Sequence, residues 1–353
     1  MSNVSSGKSL EDWGLEPAVD YIERVQRSDG LILWYPDGPA DPWDHVESAM
    51  GLSVAGRYGA ARRAYRWVAD AQHDDGALWA TYGETDSDGN DGAHAGDEPR
   101  KETHRSAYVA VGTWHHYLCT GDREFLEELW PTVRDAVAFA CDQQAPSGEI
   151  YWTVGADGEV YEDALISGCA SIYKSLACGA AIAGELGHTD AHDRWLAART
   201  HLGEAIRTRP DRFDRTWESK SRYAMDWFYP VLCGVVTGGP ARERLEAGMD
   251  RFLEEGLGCR CVADEPWVTV AESCELVVSL AAVGRTERAR EVLEWLFQWT
   301  DDEGVFWTGY QFEDEAFWPG DRPTWTAGAA VLAADALSGV SGAADLFTDP
   351  LFE

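Results

Sequence analysis

Lysine is the scarcest ionisable residue: Lys8, Lys101, Lys174 and Lys220 are the only four in 353 residues. Arginine makes up the rest of 29 cationic residues, set against 62 acidic ones, for a formal charge of −33. Such a surface repels a phosphate backbone and excludes nucleic acid as a partner. It is also the balance of a protein held in solution by strong salt, where screening makes like-charge repulsion tolerable. A halophilic, acidic protein is therefore expected, although a GC-rich genome would give the same bias. No run reaches the ~18 apolar residues of a membrane span. The opening MSNVSSGKSLEDWG lacks the apolar stretch of a signal peptide. Together these absences predict a cytoplasmic protein without a membrane span. The eight cysteines lie mostly inside apolar helical stretches, as buried thiols do. Cys259 and Cys261 form a C-x-C with no second pair, so neither a zinc finger nor a disulfide framework is expected. Neither a metal nor a cofactor is expected.

What is present is a repeat. Apolar periodicity predicts about twelve helices, over 11–28, 45–57, 59–73, 104–119, 122–144, 164–186, 190–207, 223–236, 240–255, 268–283, 286–299 and 325–338. Charged amphipathic helices such as GAARRAYRWVADAQ alternate with small, apolar ones such as SGCASIYKSLACGAAIAG. A helix apolar on all faces is buried on all faces. Polar outer helices thus alternate with buried inner ones. Inner-to-outer turns are short and carry glycine (GRYG, TGDR, GHTD, TGGP, GRTE), as helix C-caps do. Outer-to-inner connections are long, and several open on a related phrase: QRSDGLILW, QHDDGALW, QQAPSGEIYW and QWTDDEGVFW. The rhythm describes an all-α (α/α)6 toroid, six helical hairpins closed into an inner and an outer ring. One domain over 10–340 is expected, with an acidic mobile insert at 83–101 and a C-terminal tail at 341–353. The insert contains a D-x-D-G-N-D run but lacks the spacing and final glutamate of a calcium-binding EF-hand loop.

This topology gathers all long connections at one end, which makes that end the candidate cleft. Seventeen tryptophans, many of them in these loops, could stack on sugar rings or simply pack the mouth of the ring. Carboxylates converge on the same rim. Asp44-x-x-Glu47 in DPWDHVESAM and Thr269-x-x-Glu272 in DEPWVTVAESCE both read as helix-capping boxes. Both also lie at first turns of inner helices, flanked by tryptophan. Glycosidic hydrolysis needs two carboxyl groups, one to protonate the leaving oxygen and one to activate water or attack carbon. Asp44 and Glu272 are the expected catalytic pair, on opposing walls with room for water, which favours inversion. Glu272 is the expected acid, since the apolar surround of Trp267 raises a carboxyl pKa; Trp43 does the same for Asp44. The expected substrate-binding residues are Trp34, Tyr35, Trp43, His45, Glu47, His104, Arg105, Arg222, Asp226, Trp227, Tyr229, Trp267, Glu275, Trp307, Tyr310 and Trp325.

The phrases DPWDHVESAM, WHHYLCTGD, ALISGCASIYKSL, YAMDWFYPVL and DEPWVTVAESCE carry a resemblance over nearly the whole chain. They are similar to prokaryotic proteins often labelled prenyltransferase-like or squalene-cyclase-like. Yet the chain has no D-x-D-D protonating motif and no convincing Asp, Cys and His zinc set. That family in turn resembles the methylmannose polysaccharide hydrolases, endo-acting α-mannoside hydrolases on an (α/α)6 ring. The resemblance implies Asp44 and Glu272 as catalytic residues and an α-linked oligo- or polysaccharide as the substrate partner. Alternatives are a sugar epimerase or isomerase, which would need paired histidines such as His45 and His104, and a terpenoid cyclase-like enzyme, which would need an apolar cavity.

Overall fold

In a computed structural model, residues 8–85, 91–92 and 99–349 are described. All but the last residue of the D-x-D-G-N-D run, and most of the acidic insert, fall on 86–90 and 93–98, outside the described residues.

All twelve expected helices are present. A short α1 (Leu10–Trp13), capped by Ser9, precedes α2 (Glu16–Val25), α3 (Pro42–Val54) and α4 (Tyr58–Ala71). The next inner helix is broken into α5 (Thr103–Ala107) and α6 (Val109–Thr120). There follow α7 (Arg123–Asp142), α8 (Ile166–Leu186), α9 (Thr189–Thr208), α10 (Ala224–Leu232) and α11 (Gly238–Phe252). The chain closes with α12 (Val270–Ala282), α13 (Thr286–Leu296) and α14 (Thr324–Ser338). The inner helices contact one another in the cyclic order α3, α6, α8, α10, α12, α14 and back to α3. The outer helices α2, α4, α7, α9, α11 and α13 pack on them. The result is the (α/α)6 toroid. Helix α8 is long and apolar enough to cross a membrane, but 83% of its apolar window is buried inside the ring, which makes it a core helix.

The repeated Q…G phrase is a joint. The Gln26 amide donates to the carbonyls of Gly30 at 3.0 Å and of Ala60, on the next outer helix, at 2.9 Å. Gln72 does the same to Gly76 and Thr132, and Gln144 to Gly148 and Ala198. The glycine is required there. Gly76 has φ +84°, and a Cβ on it would lie 2.2 Å from the carbonyl oxygen of Asp135 on α7. Three of the long loops are thereby bolted to the following outer helix; in the fourth phrase Gln298 instead donates to Gly256 and Trp295, and Gly304 lies against Pro17 of α2.

Short strands trim the long-loop end. Glu84–Thr85 (β1) pairs with Asp91–Gly92 (β2). Arg100–Glu102 (β3), Thr153–Gly155 (β4) and Val160–Tyr161 (β5) form an antiparallel sheet. A second sheet runs β10-β9-β8-β7-β6. It is built from Leu253–Glu254 (β6), Gly258–Arg260 (β7), Trp267–Thr269 (β8), Gly309–Gln311 (β9) and Ala316–Phe317 (β10).

Candidate active site

At the long-loop end the inner ring opens into a cavity of about 220 Å³. Its lining comes from every part of the chain: Trp34, Asp41, Trp43, Asp44, Glu47, His104, Arg105, Ser167, Gly168, Met225, Tyr229, Glu272, Glu275 and Trp325. Below it lies a small apolar cavity of about 30 Å³ that shares Trp43, Glu47, Tyr229 and Glu275 and is floored by Leu232, Val278, Leu332 and Phe347.

Asp41, not Asp44, caps α3. Its Oδ1 accepts from the backbone N–H of Trp43 at 2.8 Å and of Asp44 at 3.1 Å, while Pro42 fills the first helical position. Its Oδ2 accepts from Trp34 Nε1 at 3.2 Å. Asp44, relieved of capping, turns its carboxyl towards that of Asp41. Burial and the Asp41 charge push Asp44 well above the usual carboxylate range, against the pull of Arg105. One turn on, Glu47 accepts from Trp43 Nε1 at 3.2 Å. Burial pushes Glu47 up to about 8; the Trp43 hydrogen bond opposes the rise, and Asp41 and Glu272 add to it.

The expected capping box at α12 does not form. Thr269 stands at the N-cap, yet its side chain makes no capping bond and its Oγ1 has no partner. The Glu272 carboxyl is therefore free of the helix end. It is buried, and its Oε2 has no hydrogen-bond partner. A buried carboxylate oxygen left unpartnered is costly unless water or a ligand meets it. A turn further, Glu275 accepts from the Tyr229 hydroxyl. Burial, then the Glu47 charge, pushes Glu275 well up despite that bond.

The cation of the cavity is Arg105. Glu102, at the N-cap of α5 and only 3% exposed, binds Arg105 Nε at 2.8 Å, Arg100 Nε at 2.9 Å and lies 3.5 Å from His104 Nε2. Burial lowers His104 to about 4, so it is neutral at pH 7, and its Nδ1 is unpartnered. Trp43 stacks on Tyr108 with centroids 4.4 Å apart and meets the His104 ring edge at 5.6 Å. Among the described residues, no group of three His, Cys, Asp or Glu side chains is placed to hold a metal ion.

Trp34, Trp43, Asp44, Glu47, His104, Arg105, Tyr229, Glu272, Glu275 and Trp325 are thus brought together as expected. Others are not. His45 lies on the far side of α3, where Nδ1 accepts from Ile32 N–H at 3.0 Å and Nε2 donates to the Ala64 carbonyl at 2.9 Å. Both ring nitrogens are occupied, and burial lowers its pKa to about 4. The Trp227 indole points outward, donates to the Arg244 carbonyl at 2.7 Å and stacks on Phe252. Its neighbour Asp226, raised to about 6 by burial, also stays out of the cavity. Arg222 is tied to Asp264 by two hydrogen bonds at the surface. Tyr35 lies against Gly38. Trp267, Trp307 and Tyr310 pack the rim with Trp318, Phe317 and Trp299 respectively. Nor do the catalytic candidates face each other across a diameter. Helices α3 and α12 both flank α14, whose Trp325 lines the wall of the same cavity.

Sequence reasoning passed over Asp41, Ser167, Gly168 and Met225. Asp41 had a signal: Asp before Pro at a helix start marks an N-cap followed by proline at N1. Ser167 and Gly168 open α8, where nothing but the fold shows that the first turn faces the cavity.

A carboxyl-lined cavity with aromatic walls lies at one end of the (α/α)6 toroid, and the chain's relative makes the protein a glycoside hydrolase. The chain is 42% identical over 317 residues to the MMP endo-(1,4)-3-O-methyl-alpha-D-mannosidase of Mycolicibacterium hassiacum, covering 90% of this chain and 84% of that protein. It belongs to the family of that mannosidase. No protein-family model matches it. Among solved structures, it superposes on a wild-type glycosidase at TM-score 0.68 and 17% identity, covering 93% of this chain and 96% of the other. It also superposes on the GH63 mannosylglycerate hydrolase of Thermus thermophilus, in complex with glucose, at TM-score 0.67 and 14% identity, covering 89% and 98%. At those identities the likeness is one of fold.

Proposed function

We propose that this protein hydrolyses an α-linked mannoside chain, with O-methylated mannose among its substrates, and inverts the anomeric centre. The named relative acts on a methylated α-mannoside. The apolar lower cavity beneath Glu47 and Glu275 offers a place for a methyl ether. The observation that carries the mechanism is the contrast between two carboxyls in one cavity. Asp44 is held in its protonated form by burial and by Asp41, and Glu272 presents an unpartnered oxygen. Asp44 is accordingly the general acid that protonates the departing glycosidic oxygen. Glu272 is the base that takes a proton from water attacking the opposite face. This reverses the assignment expected from the tryptophan neighbours. Arg105, His104, Glu47 and Glu275 supply hydrogen bonds to sugar hydroxyls, and Trp43, Trp34 and Trp325 supply faces for stacking. His45, locked between two backbone groups, is unavailable as half of an epimerase pair. The acid-rich surface supports an enzyme that works in strong salt.

Proton NMR of the first-formed product from a 3-O-methylmannose oligosaccharide tests the stereochemistry. The expected product is the β-anomer, which then mutarotates. Initial α-anomer would refute inversion, and no product would refute hydrolysis.

A further inference from the structure

Beside the active site, on the same face, lies an open groove of about 500 Å³ built on the β3-β4-β5 sheet. Trp152, Tyr161, Arg100, Asp157 and Glu159 line it, together with Gly155 and the backbone around it. Tyr161 is 46% exposed, among the largest exposed apolar surfaces of the described residues. The Arg100 guanidinium sits over the Trp152 ring at 5.7 Å, and the Trp217 indole holds Trp152 from the side at 5.0 Å. The groove therefore offers a phenol, an indole, a guanidinium and two carboxylates within one concave surface.

This chemistry matches a neutral polyhydroxylated chain. Aromatic faces stack on sugar C–H faces, whereas Asp157 and Glu159 disfavour an anionic ligand. The groove is also joined to the site of cleavage. Strand β3 carries Arg100 in the groove and runs into α5, which carries His104 and Arg105 in the cavity. The buried Glu102 binds Arg100 on one side and Arg105 on the other. We infer that the β3-β4-β5 groove is a distal subsite that holds sugar units of a long glycan extending beyond the catalytic cavity. The inference rests on the hydrolase reading above and adds to it a requirement for chain length.

The test uses the full-length protein and two probes: a short chromogenic α-mannoside and a long α-(1,4)-linked 3-O-methylmannose oligosaccharide. Tyr161→Ala should raise KM for the long chain about tenfold, the order of one lost aromatic contact, and leave the short substrate unchanged. Tyr161→Phe should retain wild-type behaviour. An equal KM for the long chain in Tyr161→Ala and wild type would overturn the inference. So would an equal rise for both probes, since a disturbance passed through Glu102 to the active site would produce it. Calorimetric titration of the long chain into both proteins reads the subsite even if neither probe is cut. Weaker binding by Tyr161→Ala supports the groove, and unchanged binding removes it. Failure of the wild type to cleave either probe counts against the hydrolase reading alone.

Discussion

Asp41 caps α3 by accepting from the backbone N–H of Asp44 at 3.1 Å, which sets its charge beside the Asp44 carboxyl at the first turn of the helix. Asp41 is already committed to the backbone N–H groups of Trp43 and Asp44 and to the Trp34 indole, all of them donors to a carboxylate. Burial and the Asp41 charge together hold the Asp44 carboxyl well above the usual carboxylate range. Asp41→Asn removes the negative charge and lowers the Asp44 pKa. The alkaline limb of the kcat/KM profile, where the acid loses its proton, should move to lower pH. The substitution also weakens the cap, at a cost of about 1 kcal/mol or less because Asn caps nearly as well. A limb that stays in place would show that Asp41 does not hold the proton on Asp44.

Glu47 gives a pH dependence of stability with a definite sign. Its folded value of about 8 exceeds the ordinary 4.5, so over that range the native state binds more protons than the unfolded one. Stability contributed by the protonated form is present below pH 4.5 and is lost as pH rises towards about 8. Thermal melts across this window should show a falling Tm for the wild type and a shallower fall for Glu47→Gln. The residual slope is shared by Asp44, Glu275, Asp226 and Asp335, which are shifted the same way, and is opposed below pH 6.5 by buried histidines such as His45 and His104, which are shifted down, so the contrast between the two proteins is cleanest between pH 6.5 and 8. Parallel curves for the two proteins would contradict the assignment.

The loop joints predict a contrast between two glycines. Gly14 and Gly76 both have positive φ, but a Cβ on Gly14 meets nothing within 4 Å, whereas one on Gly76 meets the Asp135 backbone at 2.2 Å. Gly14→Ala should cost only the left-handed strain, about 1 kcal/mol. Gly76→Ala should cost more than about 2 kcal/mol, because α7 must move away from the loop. Urea melts of the two variants measure the difference, and equal losses would deny the joint its role.

The ring was legible because two signals repeat: helices apolar on every face, and long loops opening on the Q…G phrase. Inner helix α3 shows the first clearly, since every residue from His45 to Val54 is buried. The cavity was legible in outline, because the topology alone sends all long loops to one end. The side of a helix on which a residue falls was harder to read. His45 adjoins Asp44 in sequence, but successive residues on a helix point about 100° apart. One therefore lines the cavity and the other bonds to Ile32 and Ala64. Rim aromatics such as Trp307 and Tyr310 share the composition of a sugar cleft, yet they pack on Phe317 and Trp299. Composition cannot distinguish a tryptophan that supports a loop from one that faces a ligand. The split between Asp41 as cap and Asp44 as the proposed acid depended on a single hydrogen-bond pattern that D-P-W-D allows but does not dictate.

The most direct measurement is the turnover of Asp44→Asn and Glu272→Gln on a 3-O-methylmannose oligosaccharide, with binding followed by calorimetry. Each variant should lose about a thousandfold or more in kcat while binding the oligosaccharide within a few-fold of wild type. Near-wild-type kcat in either variant would contradict the assignment of these two carboxyls to glycoside cleavage.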